Sequence, residues 1–244
     1  MKIGSQAGDG KSPRRQPPSG GYARGAEQRA RIIQAALKVF GEEGYERAST
    51  RLIAREAGIQ PPALQYYFDS KEGLNRACAE YLVDLVIQSL GGALEIARAT
   101  PDDASPQVAL DALCDLMDAL VDISLFSREA PERARFSARA QSDNSPAAQV
   151  MRDRIASPIY DAAARLVARA LGVPPGTKPD DNVWLRTHLL LSQMASLHTH
   201  RDKVLAKLGW PDFDGPRRAM IKAMLRLHTQ GALTAPWSGD AAAL

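Results

Sequence analysis

From residue 25 to residue 233 apolar side chains recur at three- and four-residue intervals, and no stretch alternates apolar with polar residues in the β-branched manner of a strand. A period near 3.6 gathers such residues on one face of a helix, so the chain is constrained to an all-α fold. The interruptions divide it. Gly44, Gly58, Asp69-Ser70, Thr100-Pro101, Ala130-Pro131, Asn144-Ser145-Pro146, residues 172–176 and Gly209-Trp210-Pro211 predict about nine helices, three short ones followed by six longer ones. The short helices make a compact unit over residues 25–76. Residues 77–235 form a larger helical body, entered through a helix that starts near Lys71, and residues 236–244 are a tail. Residues 1–24 are rich in Gly, Pro, Ser and Arg and too poor in apolar side chains to offset their chain entropy, so they read as a disordered arm.

Bulk properties exclude several classes. No apolar run approaches the roughly 20 residues that cross a bilayer, and the polar N-terminal stretch is not a signal peptide, which points to a cytoplasmic protein without membrane partners. The two cysteines, Cys78 and Cys114, have no Cys or His at ligand spacing and read as buried apolar residues. The four histidines, His188, His198, His200 and His228, form no metal motif. There is no Gly-rich phosphate loop, nucleophile elbow or zinc-protease signature. No catalytic residue, metal or cofactor is therefore expected. The net charge of +3 is uneven: residues 1–76 hold 13 Lys and Arg against 8 Asp and Glu, but the first 24 residues supply five of the cations against Asp9 alone. Charge is thus a weak pointer to nucleic acid.

The short helices carry more information. In the first, Ile33, Ala36, Leu37 and Phe40 share one face, and Arg29, Arg31, Lys38 and Glu42 lie mostly on the other. Ser49 or Thr50 can cap the second helix, in which Ile53, Ala54 and Ala57 face inward. Gly58 supplies a tight turn and Ile59 plugs the corner. Pro61 and Pro62 suit the first turn of the third helix, where no N–H is needed, and Leu64 and Phe68 point back to the core. Its outer face then carries Gln60, Ala63, Gln65, Tyr66 and Tyr67: amides that can pair with base edges, and phenols that can reach phosphates or pack on thymine methyls. Ser70 caps a fourth helix, with Glu72 near its third position, and the free N–H groups there together with Lys71 suit a phosphate.

The run from Arg31 to Leu74, RIIQAALKVFGEEGYERASTRLIAREAGIQPPALQYYFDSKEGL, closely resembles the DNA-binding domain of the TetR family. The likeness rests on Ala36 and Phe40, Gly44-Tyr45, Ile53-Ala54, Gly58-Ile59, the Leu64-x-Tyr66-Tyr67-Phe68 end of the third helix, and Ser70-Lys71-Glu72-x-Leu74. It implies that Thr50 and Arg51 touch backbone or base, that Gln60, Pro61, Pro62, Ala63, Gln65 and Tyr66 face the major groove, and that Tyr67 and Lys71 clamp phosphates. The chain departs from the family pattern at Gln65, where Tyr is usual, and at Pro62, often Gly, so base preferences do not carry over. Tyr45 reads as core.

The resemblance also implies a body that encloses a small-molecule effector of apolar character and pairs its last two long helices, here residues 181–208 and 216–231, with their mates in a homodimer. The candidate effector-site residues are Met117, Phe126, Phe136, Trp184, His188 and Gln193, each of which also suits plain packing. Leu185, Leu189, Leu190, Met194 and Leu197, with Met220, Ile221, Met224, Leu225 and Leu227, fit both core and dimer roles, and sequence does not separate the two. The stretches SLFSREAPE from Ser124, KLGWP from Lys207 and LRLHTQGAL from Leu225 are similar to the CecR branch of the family, a branch associated with control of efflux transport. The resemblance implies a repressor that holds a palindromic double-stranded operator as a dimer and lets go when the effector binds. Two other readings stay open: a helix-turn-helix protein-interaction adaptor without ligand sensing, and an α-helical enzyme, for which the convergent polar constellation is missing.

Overall fold

The computed structural model describes residues 20–126 and 131–235, all of whose regular elements are helical. Residues 1–19 of the expected arm and the tail from residue 236 lie outside the described residues. Helix α1 spans Gly20–Arg47, α2 Thr50–Glu56, α3 Pro61–Tyr67 and α4 Lys71–Ala99. The body continues with α5 Pro106–Val121, α6 Pro131–Ser142, α7 Pro146–Met151, α8 Ser157–Ala170, α9 Asp181–Thr199, α10 Arg201–Leu208 and α11 Gly215–Thr234.

Three boundaries differ from expectation. Helix α1 begins at Gly20, so residues 20–24 are helical and not part of an arm; the following stretch of Ala, Arg, Glu and Gln has high helix propensity and extends the helix backward. The expected helix over 181–208 is broken at His200, whose φ and ψ are −103° and 21°, within a run of His and Thr of low helix propensity. Between α7 and α8, Arg152–Ala156 is a π turn. Pro158 follows it, lacking an N–H and crowding the carbonyl four residues back, so the ladder widens there. A second π turn, Asp122–Phe126, continues α5.

Two hydrophobic cores hold the molecule. The first joins Ile32, Leu37 and Phe40 of α1, Ile53 of α2, Leu64 of α3 and Phe68 to Leu74, Cys78 and Leu82 of α4. The second gathers Leu113, Leu116 and Met117 of α5, Leu166 and Val167 of α8, Leu190 and Met194 of α9, and Ile221 and Leu225 of α11 around Leu90, Leu94 and Ala97 of α4. Helix α4 therefore belongs to both cores. It is also the one helix among the described residues long and apolar enough by composition to cross a bilayer, a feature not expected from the sequence; part of its apolar surface lies in the two cores, while Ile87 and Ile96 stay exposed. At Gly91 its backbone leaves the helical region, with φ 26° and ψ −108°.

The first core takes in the body as well. Phe136 and Ala140 of α6 and Ala147 of α7 are buried in it. Gly41 lets α6 close on α1, since a Cβ there would lie 3.2 Å from the Arg135 Cβ and from the Phe136 nitrogen. Arg139 then donates to the carbonyls of Gly41 at 2.7 Å and Glu42 at 2.8 Å. Buried Asn75 of α4 accepts from the Ala147 N–H at 2.8 Å, satisfying one of the free donors at the start of α7.

Candidate DNA-binding surface

Each turn leading to α3 is closed locally. Ser49, not Thr50, caps α2 by accepting from the Leu52 N–H at 3.2 Å. After α2 the Gly58 N–H reaches the Arg55 carbonyl and the Ile59 N–H the Ala54 carbonyl, the bond pair of a Schellman stop, with Gly58 at φ 67°. A side chain is strained at that φ, although a Cβ there would touch nothing within 4 Å, so the need for glycine is conformational and not spatial. The chain leaves this corner as α3.

Helix α3 separates its residues cleanly. Leu64, 2% exposed, and Phe68 point into the core, whereas Gln60, Pro61, Pro62, Ala63, Gln65 and Tyr66 are exposed, Tyr66 at 85%. Tyr67 is half-buried and meets the Tyr66 ring edge-on at 5.3 Å. Because Pro61 and Pro62 have no N–H, and the Ala63 and Leu64 N–H groups bond to the Gln60 carbonyl, the first turn of α3 has no backbone donor to give a phosphate. Its outer face offers side chains only: the amides of Gln60 and Gln65 and the phenol of Tyr66. Exposed Arg51 and half-buried Thr50 open α2 beside it.

The start of α4 is arranged differently from expectation. Ser70 caps it, accepting from the Gly73 N–H at 3.0 Å. Glu72 is one position too early to complete a capping box and instead accepts from Arg76 at 3.1 Å. Lys71 donates to the Glu46 carbonyl at 3.1 Å with its ammonium 4.6 Å from the centre of the Tyr45 ring. Tyr45 packs against Phe40, and burial, then the nearby Glu72 and Glu46 carboxylates, raise its phenol above the ordinary range. Lys71 is thus docked on the corner between α1 and α2.

Two cations that the sequence places on the outer face of α1 make contacts near this surface that it did not foresee. Arg29, placed among the outward residues of α1, holds its guanidinium 5.1 Å from the Phe68 ring centre, which ties the extension of α1 to the end of α3. Its position four residues before buried Ile33 was the signal. Lys38 joins α1 to α2 through Glu56 at 2.6 Å, and that hydrogen bond raises its pKa.

Of the six residues expected around an effector, the five whose side chains are described are spread over the first core, the second core and the surface of α9. Met117 is buried in the second core, and the Phe126 side chain lies outside the described residues. Phe136 belongs to the first core, its ring 6.3 Å from that of Phe40. Along α9, Trp184 and His188 are exposed, and Gln193 is partly so. His188 hydrogen-bonds Tyr160 at 3.1 Å, and Gln193 pairs with His228 of α11 at 3.1 Å.

A compact helical unit that turns a short, polar-faced helix outward ahead of a larger helical body defines a helix-turn-helix regulator of transcription. Residues 32–78 match the model of the bacterial regulatory proteins of the TetR family, and residues 106–235 that of the C-terminal domain of the HTH-type transcriptional dual regulator CecR. The chain belongs to the TetR family, with a CecR-type C-terminal domain. It is 28% identical over 210 residues to the dual regulator CecR of Shigella flexneri, covering 84% of this chain and 91% of that one. Over 88 residues it is 33% identical to the regulator BetI of Proteus mirabilis, covering 36% and 42%. A TetR-like regulator from Rhodococcus sp. RHA1 shares the fold with a TM-score of 0.59 at 16% identity, over 86% of this chain and 98% of that one. FadR from Bacillus subtilis, solved in complex with stearoyl-CoA, aligns with a TM-score of 0.54 at 14% identity, over 85% and 99%.

Proposed function

We propose that this regulator is a repressor that binds a palindromic operator as a homodimer and is released by a small apolar molecule. The observation that carries the reading is the outer face of α3, where Gln60, Gln65 and Tyr66 stand exposed over a core sealed by Leu64 and Phe68. Gln65 suits a bidentate pair with adenine in the major groove, and Tyr66 suits contact with phosphate or a thymine methyl. Lys71 and Tyr67 are assigned to phosphates, with Thr50 and Arg51 on the flanking backbone. Repression is by occlusion of the operator.

Support for the dimer comes from α9 and α11. Leu185 and Leu189, with Met220, Met224 and Leu227, are each more than half exposed, while their neighbours Leu190, Met194, Ile221 and Leu225 fill the second core. Exposed apolar residues on both helices suit a two-fold four-helix interface. The effector acts by its differential affinity for two arrangements of the recognition helices, and α4, shared by both cores and kinked at Gly91, is the lever. FadR, a protein of the same fold, holds stearoyl-CoA, which favours an effector with an apolar body.

Selection of bound duplexes from a random pool at physiological salt tests this. The expected product is a palindrome with half-sites centred about 34–36 Å apart or a multiple of it, whose complex dissociates with some members of an apolar small-molecule panel. A pool that stays random would sink the repressor reading and leave a protein-interaction adaptor.

A further inference from the structure

At the opposite end of α4 from α3, an open cleft of about 420 Å³ lies between the α4–α5 turn, α8, the loop after α8 and the start of α9. Arg165 crosses one wall, donating to the carbonyls of Ala97 at 2.6 Å, Arg98 at 2.9 Å and Thr100 at 2.6 Å while pairing with Asp102 at 3.1 Å. It thereby caps the last carbonyls of α4, which have no partner within the helix. Arg169, only 7% exposed, donates to the carbonyls of Asp102 and Pro174, and its Nε–H has no partner. Lys178 and Asp161 line the cleft without an ion pair among the described residues, and Trp184 lies half-open beside them. With Asp102 neutralised by Arg165, the remaining charge is Lys178 and Arg169 against Asp161.

We infer that this cleft binds a small flat molecule carrying an acid group. The acid oxygens pair with exposed Lys178 beside the buried Arg169 guanidinium, the ring covers Trp184, and Asp161 accepts from a donor on the ring where there is one. The polar groups explain the class. A neutral apolar compound gains nothing from the two positive groups, and a cation is repelled by Lys178 and Arg169. The cleft opens on the outer side of the core that holds Met117, with Ala164 and Ala168 of that core in its wall. Because Arg165 and Arg169 also hold the end of α4 and the turn after it, occupancy bears on the helix that reaches the DNA-binding unit. That consequence rests on the repressor reading, whereas the binding does not.

The test is titration of 2-naphthoate and its neutral isostere 2-naphthamide into the full-length chain by calorimetry, with Lys178→Glu and Asp161→Asn as variants on exposed positions and helix content checked by circular dichroism. The naphthoate is expected to bind with a submillimolar Kd and at least about tenfold more tightly than the amide. Lys178→Glu should abolish that preference and Asp161→Asn should strengthen it. No naphthoate binding at millimolar concentration, equal binding of acid and amide, or unchanged affinity in Lys178→Glu would each overturn the site; should Lys178→Glu lose helix content, a weaker or unchanged affinity in Asp161→Asn overturns it instead. A random duplex selection alongside intact naphthoate binding would sink the repressor reading and leave this site standing.

Discussion

At the scale of single residues, the surface of α3 makes a prediction that separates two kinds of contact. If Gln65 reads a base as proposed, replacing it by Ala removes that donor–acceptor pair, so it should relax the preference at one position of each half-site at a cost of about 1–3 kcal/mol there, leaving other positions unchanged. Lys71→Ala removes a charge that no base reads. It should weaken binding to all duplexes alike and lower the salt slope by about one unit per protomer. Binding isotherms on an operator and on single-base variants at several salt concentrations check both. A uniform loss from Gln65→Ala would move that residue to the phosphate contacts. Lys71 also holds Glu46 and covers Tyr45 in the free protein, so its variant should lose a little thermal stability, which Gln65→Ala should not. The separation of Leu64 and Phe68 from Gln60, Gln65 and Tyr66 was legible in the sequence because helix period alone decides it. The docking of Lys71 was not, since the carbonyl it meets lies 25 residues away.

At the scale of elements, the body is tied together by contacts that periodicity does not encode. Phe136 reads in sequence as an aromatic of the body, yet Gly41 admits α6 to the first core and takes Phe136 with it. Arg139 seals that junction with two bonds to the last turns of α1. Arg139→Ala removes both bonds and should destabilise the protein by about 1–3 kcal/mol, read as an earlier melting transition; an unchanged melting temperature would show the junction to be held by packing alone. The second tie is a ladder between α5 and α11. Arg226 binds Asp115 at 2.6 Å and Asp118 at 2.9 Å, and Asp122 receives Arg218 and Lys222 at 2.7 Å each, so the two helices run antiparallel with three acids facing three bases. Burial pushes the Asp122 carboxyl up, but the hydrogen bonds and charges of Arg218 and Lys222 outweigh it and hold it below its ordinary value. A carboxylate depressed in the folded state adds stability that is full above its unfolded pKa of about 3.9 and fades as pH falls through the lower folded value. The melting temperature of the wild type should therefore exceed that of Asp122→Asn at neutral pH. The gap should close below about pH 4, and a constant gap from pH 7 to pH 3 would refute the ladder's role.

At the scale of the whole molecule, the question left open by the sequence was which apolar residues of the last helices build the core and which build a partner surface. Helix period lists them together because α11 is apolar on two sides. The structure divides them by a third side: the ladder turns Arg218, Lys222 and Arg226 toward α5, so Ile221 and Leu225 face the core and Met220, Met224 and Leu227 face outward beside Leu185 and Leu189 of α9. The ladder thus fixes which side of α11 turns outward, the side proposed above for the dimer, as well as holding α11 on α5. Changing an outward residue should act on assembly and not on the fold. The double variant Leu189→Asp with Met224→Asp brings four carboxylates to a two-fold interface and should shift the chain from dimer to monomer by analytical ultracentrifugation, with helix content retained. Operator affinity should fall by more than about a hundredfold, since two recognition helices on one body are replaced by two independent ones that no longer benefit from linkage. A variant that stays dimeric, or a monomer that binds the full palindrome as tightly as the parent, would remove the α9–α11 face from the assembly.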